Sequence, residues 1–170
     1  MTLKMAEGAV AALVTYLGTN FAAKVAALNT EYGDTLLTMP ASFNTTEILE
    51  AEAFPVIEVL CDRTRIHAIG GGYIGTTHPI TIICTVMDDS DSGEEKANLR
   101  KQVYRYARAI IELLRTAETA GGFTDGAGAT YQIRWPQELI DFAGATRRKG
   151  SSQVVAACGV RVEIQVQEAG

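Results

Sequence analysis

The last strand constrains the chain more than any other feature. From 154 to 166, Val154, Ala156, Cys158, Val160, Val162, Ile164 and Val166 alternate with Val155, Ala157, Gly159, Arg161, Glu163 and Gln165. The first set is apolar throughout, and the second turns polar toward its end. A period of two with one unbroken apolar face marks a strand lying on a core. Thirteen residues at roughly 3.3 Å each span about 43 Å, enough to project beyond a small domain or to pair with a neighbour. The apolar face needs a second layer to cover it.

Two helices are predicted to form that layer. Val10, Leu13, Leu17, Phe21, Leu28 and Tyr32 recur at steps of three, four and seven, which predicts a helix from 5 to about 32. Alanines fill much of its remaining surface, and Gly33 followed by Asp34 is a stop signal. Leu99, Val103, Tyr106, Ile110, Leu114 and Ala117 predict a second, amphipathic helix ending near Thr119. Its start lies in the acidic stretch 88–95, where carboxylates suit the positive end of the helix dipole.

Residues 55–62 and 78–87 alternate as strands. Ile57, Val59 and Cys61 oppose Glu58 and Asp62 in the first; Ile80, Ile82, Cys84 and Val86 form one face of the second. The segment between them, 63–77, holds Gly70-Gly71-Gly72-Tyr73-Ile74-Gly75 and reads as a long glycine-rich hairpin tip. Residues 130–135 alternate again, Pro136 interrupts them, and 139–142 resume the strand. The stretch 34–55 reads as a connecting loop with a short helical turn around 46–51. Together these elements predict one α+β domain over 1–170. Its order is α-β-β-α-β-β, with a four-stranded, mainly antiparallel sheet and both helices on one face.

The chain shows little catalytic chemistry. Its 170 residues carry a net charge of −5, which disfavours a DNA-binding module acting through its whole surface. The three cysteines, Cys61, Cys84 and Cys158, form no C-x-x-C pair and read as reduced small hydrophobes. His67 and His78 share no metal spacing with each other or with a carboxylate, and read as solvated or capping residues. With Gly93 at position six of a calcium loop, positions three and five are Ser90 and Ser92 and position twelve is Leu99, so that motif fails. The glycine run lacks the helix and the Lys-Ser or Lys-Thr of a phosphate loop. No nucleophile motif is apparent, no cofactor is expected, and the N-terminus shows neither a signal peptide nor a membrane span. The expectation is therefore a non-enzymatic protein that works by contact. The candidate contact residues are Gly71, Gly72, Tyr73 and Ile74 at one hairpin tip, and Arg147, Arg148 and Lys149 at another.

The pattern resembles the tail terminator (tail completion or neck) proteins of long-tailed bacteriophages and related tail-like particles. The resemblance rests on the long first helix 5–32, the strands 55–62 and 78–87, and the acidic stretch 88–95. It continues with the helix holding Tyr104-Arg105-Tyr106-Ala107-Arg108-Ala109-Ile110 and the final strand 154–166. The connection 34–55 and the glycine tip 70–75 have no counterpart in it. The resemblance implies a virion protein, made in the host cytoplasm, that forms a homo-oligomeric ring, commonly a hexamer. Such a ring caps the tail tube, stops tail polymerisation and offers a docking surface to a neck or head-completion protein. A sheath protein is a further partner, and DNA passes through the lumen without sequence-specific binding. The Ala-rich first helix, the face bearing Ile83 and the overlong last strand are candidate ring contacts. Two alternatives remain open: another component of the head-to-tail joint, or a small ligand-binding or enzymatic α+β domain using Glu58, Asp62, Arg161 and Glu163 on an open sheet face.

Overall fold

The computed structural model describes residues 5–45, 53–70, 73–88, 93–137, 140–147 and 153–167. Helix α1 spans Ala6–Tyr32 and buries Leu13, Leu17, Phe21, Val25 and Leu28 along one stripe. Helix α2 spans Gly93–Thr119 and buries Leu99, Val103, Tyr106, Ile110 and Leu114. Both end in the same device, in which a left-handed glycine lets the next amides reach back to orphan carbonyls. In α1, Gly33 has φ 69°, and the N–H of Asp34 donates to the Asn29 carbonyl at 3.1 Å. In α2, Gly121 has φ 88°, and the N–H of Gly122 donates to the Ala117 carbonyl at 2.8 Å.

The helices pack on each other and together on one face of the sheet. Phe21 stacks on Tyr106 with ring centroids 6.3 Å apart, and the Tyr16 hydroxyl donates to the Leu113 carbonyl at 2.9 Å. At the outer seam, Arg108 bridges Glu31 (2.7 Å) and Glu112 (2.6 Å), while Arg105 holds Asp34 at 2.8 Å and lies 3.9 Å from the Tyr32 ring centroid. Hydrogen bonds from Arg105 and from the Leu36 amide hold the Asp34 carboxyl below its usual range. Burial opposes ionisation of Glu112, but the hydrogen bonds from Arg108 and Lys24 outweigh it and lower that carboxyl too.

The strands are β1 (Ser42–Asn44), β2 (Val56–Cys61), β3 (Arg65–Gly70), β4 (Tyr73–Asp88), β5 (Phe123–Thr124), β6 (Thr130–Arg134), β7 (Ile140–Arg147) and β8 (Val154–Gln167). They form one curled, mixed sheet in the order β1-β2-β4-β8-β6-β5. The β1–β2 pair is parallel and every other pair is antiparallel. The two long strands make the spine, with Gly75–Asp88 of β4 paired to Val154–Gln167 of β8. Two short strands share each outer edge of that spine. On β4, β3 pairs near Gly75 and β2 pairs at 80–85; on β8, β6 pairs at 163–166 and β7 at 154–160. The core face carries Ile57, Val59, Ile80, Ile82, Cys84, Val160, Val162 and Ile164, all essentially buried.

The α+β class and the helix positions match the sequence reading, but the four-stranded sheet does not, because eight strands are present among the described residues. The segment 63–77 is not only a tip. Its arms are β3 and the first residues of β4, with Ile66 opposite Thr76 and Ala68 opposite Ile74 on one face. The 34–55 connection holds β1, which is too short to leave a periodic signal; the expected helical turn at 46–51 lies outside the described residues. Residues 130–142 are two strands, not one interrupted strand, because Pro136 separates β6 from β7 and each pairs a different part of β8. The last strand does not project. The longer β4 runs beside it from end to end, so its length is absorbed within the domain.

Candidate interaction surface

The two helices leave part of the sheet's core face uncovered. Directly opposed residues of an antiparallel pair point to the same face, so the register shows where the core face runs out from under its cover. Ile66 of β3 lies in one row with Thr76, Val166 and Tyr131. The last three are buried, yet Ile66 is 57% exposed. Ile74, opposite Ala68, continues the same face and is 36% exposed.

At the diagonally opposite corner, Ile140 and Phe142 of β7 lie opposite Val160 and Cys158. Those two partners are buried, while Phe142 is 48% exposed. Its ring meets that of Tyr104 of α2 edge-on, at 4.9 Å and 90°. Among the described residues, β3 pairs only with β4 and β7 only with β8. Each corner thus couples exposed apolar side chains to an open strand edge, a combination suited to association.

Three of the seven predicted contact residues fall at or near these corners. Ile74 is in β4 and belongs to the first one. Tyr73 begins β4 beside it, and Arg147 ends β7, opposite Val154. Gly71, Gly72, Arg148 and Lys149 lie outside the described residues. Sequence reading missed Ile66, Tyr104, Ile140 and Phe142. Their alternation or helical spacing is visible in the chain, but their exposure depends on where the helices end over the sheet.

The outer face of α1 is uncharged along Ala11, Thr15, Thr19, Ala22, Ala26 and Thr30. The hydroxyls of Thr15, Thr19 and Thr30 donate to carbonyls four residues back, at 2.8–3.0 Å, so few donors point outward. By length and composition α1 could cross a bilayer. Here its large apolar side chains account for that hydropathy by filling the core.

The reverse face carries the sheet's charge. A groove of about 630 Å³ crosses its waist, where β3 gives way to β2 on one side and β6 to β7 on the other. Pro79 sits in that break, a position where a residue without an N–H costs little. Of the residues lining it, Arg65 pairs with Glu163 at 3.2 Å, and Arg161 pairs with Asp141 of β7 at 2.7 Å. Glu58, expected in solvent, is 8% exposed.

His67 is exposed on β3. His78 is neither solvated nor a strand cap: it is fully buried within β4, with Nδ1 3.1 Å from the Thr64 hydroxyl. Its parity with Ile80 and Ile82 places it on the core face. Among the described residues, no group of three or more His, Cys, Asp or Glu side chains is arranged to hold a metal ion. No protein-family model matches the chain, and no curated protein matches it.

Proposed function

We propose that this chain is a structural virion protein, a tail terminator subunit that closes into a ring on the end of a phage tail tube. The observation that carries this reading is the pair of overhanging corners. A closed ring is built from a heterologous contact, one patch meeting a different patch on the next copy. The Ile66–Ile74 corner and the Tyr104–Ile140–Phe142 corner are two such patches, set across the spine β4–β8. The sequence pattern of the tail terminator family supplies the role: the ring stops tube growth and presents a surface to a neck or head-completion protein. The uncharged outer face of α1 is a further candidate for that surface.

The test is mass by light scattering, with and without purified tail tubes, followed by imaging of the tube ends. Tubes capped by a ring of the protein are expected, and Phe142→Ser or Ile66→Ser should abolish the cap while leaving the fold intact. A chain that stays monomeric and ignores the tubes removes the terminator reading. The reverse-face groove with Arg63, Arg65 and Arg161 favours a second reading, a ligand-binding domain, and ligand screening against that groove would then follow.

A further inference from the structure

Cys84 and Cys158 stand directly opposite each other on the two spine strands, in the row Ile57–Cys84–Cys158–Phe142. Both face the core, both are 1% exposed, and both are free thiols that interact side chain to side chain. Opposed residues of an antiparallel pair have Cα atoms about 4.5 or 5.5 Å apart, according to pair type. Both values fall within the roughly 4.4–6.8 Å that a disulfide spans. The Cβ atoms of such a pair lie about 4.5–5.5 Å apart, so closure draws them together by about 1 Å. Cys61 cannot compete. It pairs with Ile80, four residues along β4 from Cys84, a distance of about 13 Å.

We propose that Cys84 and Cys158 form a covalent modification site, a cross-strand dithiol that a small disulfide oxidant closes into an intrachain bond. The thiolate of one cysteine attacks one sulfur of the oxidant, forming a mixed disulfide and expelling one thiol. The other cysteine, giving up its proton, then attacks that protein sulfur, and the second thiol leaves. The two protein sulfurs are oxidised by two electrons in total; the oxidant's disulfide becomes two thiols, which take up the two protons.

Burial shields both sulfurs in the folded chain, so closure takes place while the β4–β8 pairing is open. A reducing compartment keeps the pair as thiols, and folding in an oxidising medium joins them. The site is independent of the ring proposed above.

The test uses Cys61→Ser to leave only this pair. The protein is unfolded and refolded in a mixture of oxidised and reduced glutathione. Thiols are then counted in denaturant, and peptides are mapped by mass. Free thiols should fall from two to none, with Cys84 and Cys158 peptides joined, native circular dichroism and a raised melting temperature. The wild-type chain, mapped in parallel, should show the same linkage and keeps the test valid if the variant folds poorly. Cys158→Ala should show no intrachain linkage. Two remaining thiols, or glutathione on each cysteine separately, overturn the proposal. A linked protein with a lowered melting temperature overturns it as well, because the opposed geometry would then not suit the bond.

Discussion

Alanine in place of glycine should have opposite effects at two positions in this fold. Gly122 follows α2 with φ 115°, a conformation that side chains resist. A Cβ there would lie 2.3 Å from the Tyr131 carbonyl oxygen and 3.0 Å from its carbon. That carbonyl cannot easily retreat, since Tyr131 is paired to Val166 on one side and to Phe123 on the other. Backbone strain costs about 1–3 kcal/mol, and displacing a paired strand adds about 1–3 kcal/mol. Gly122→Ala should therefore lose about 2–6 kcal/mol, a large share of the roughly 5–15 kcal/mol typical of a domain. Gly159 lies within β8, where a Cβ would meet Thr81 Cγ2 at an ordinary 3.6 Å. Gly159→Ala should gain about 0.4–1 kcal/mol by restricting the unfolded chain. Urea unfolding measures both, as shifts of the midpoint at constant slope. A Gly122→Ala change within about 0.5 kcal/mol of wild type, or a Gly159→Ala loss above about 1 kcal/mol, would refute the reasoning.

Three further outcomes follow from the packing. Tyr106→Phe removes a hydroxyl that donates to the Thr38 carbonyl at 2.7 Å and accepts from its amide at 3.0 Å, and should cost about 1–2 kcal/mol in urea melts. Burial also raises the Tyr106 phenol above its usual 10.0, so the unfolded chain loses that proton first and stability falls as pH rises past that value. The variant should lose part of this alkaline decline in pH-dependent melts. Glu112 ionises more readily when folded, so its contribution is present above the unfolded value near 4.5 and disappears as pH falls through the lower folded one. Glu112→Gln should flatten that acid limb, read as melting temperature against pH. Leu17→Ala, at a fully buried site of α1, should cost about 2–5 kcal/mol by equilibrium unfolding.

Much of this molecule is written locally. The 3.6-residue stripes of both helices, the Gly33 stop and the unbroken alternation of 154–166 each report one face against a core, so they can be read without knowing what lies opposite. The two segments read least well, 34–55 and 63–77, are those whose structure depends on a partner strand. Ser42–Asn44 is a strand only because β2 lies beside it, and the glycine-flanked arms of the β3–β4 hairpin are ordered by pairing with each other. Register is likewise nonlocal: nothing in either segment alone sets Cys84 against Cys158, or shows that β4 matches β8 along its full length. The candidate surface lies furthest from the sequence. Ile66 and Phe142 have the same alternation as Ile82 and Val160, and local pattern cannot distinguish them. Exposure separates them because two helices of 27 residues each together reach the outer strands β1 and β5 yet leave two corners of the sheet as open apolar edges.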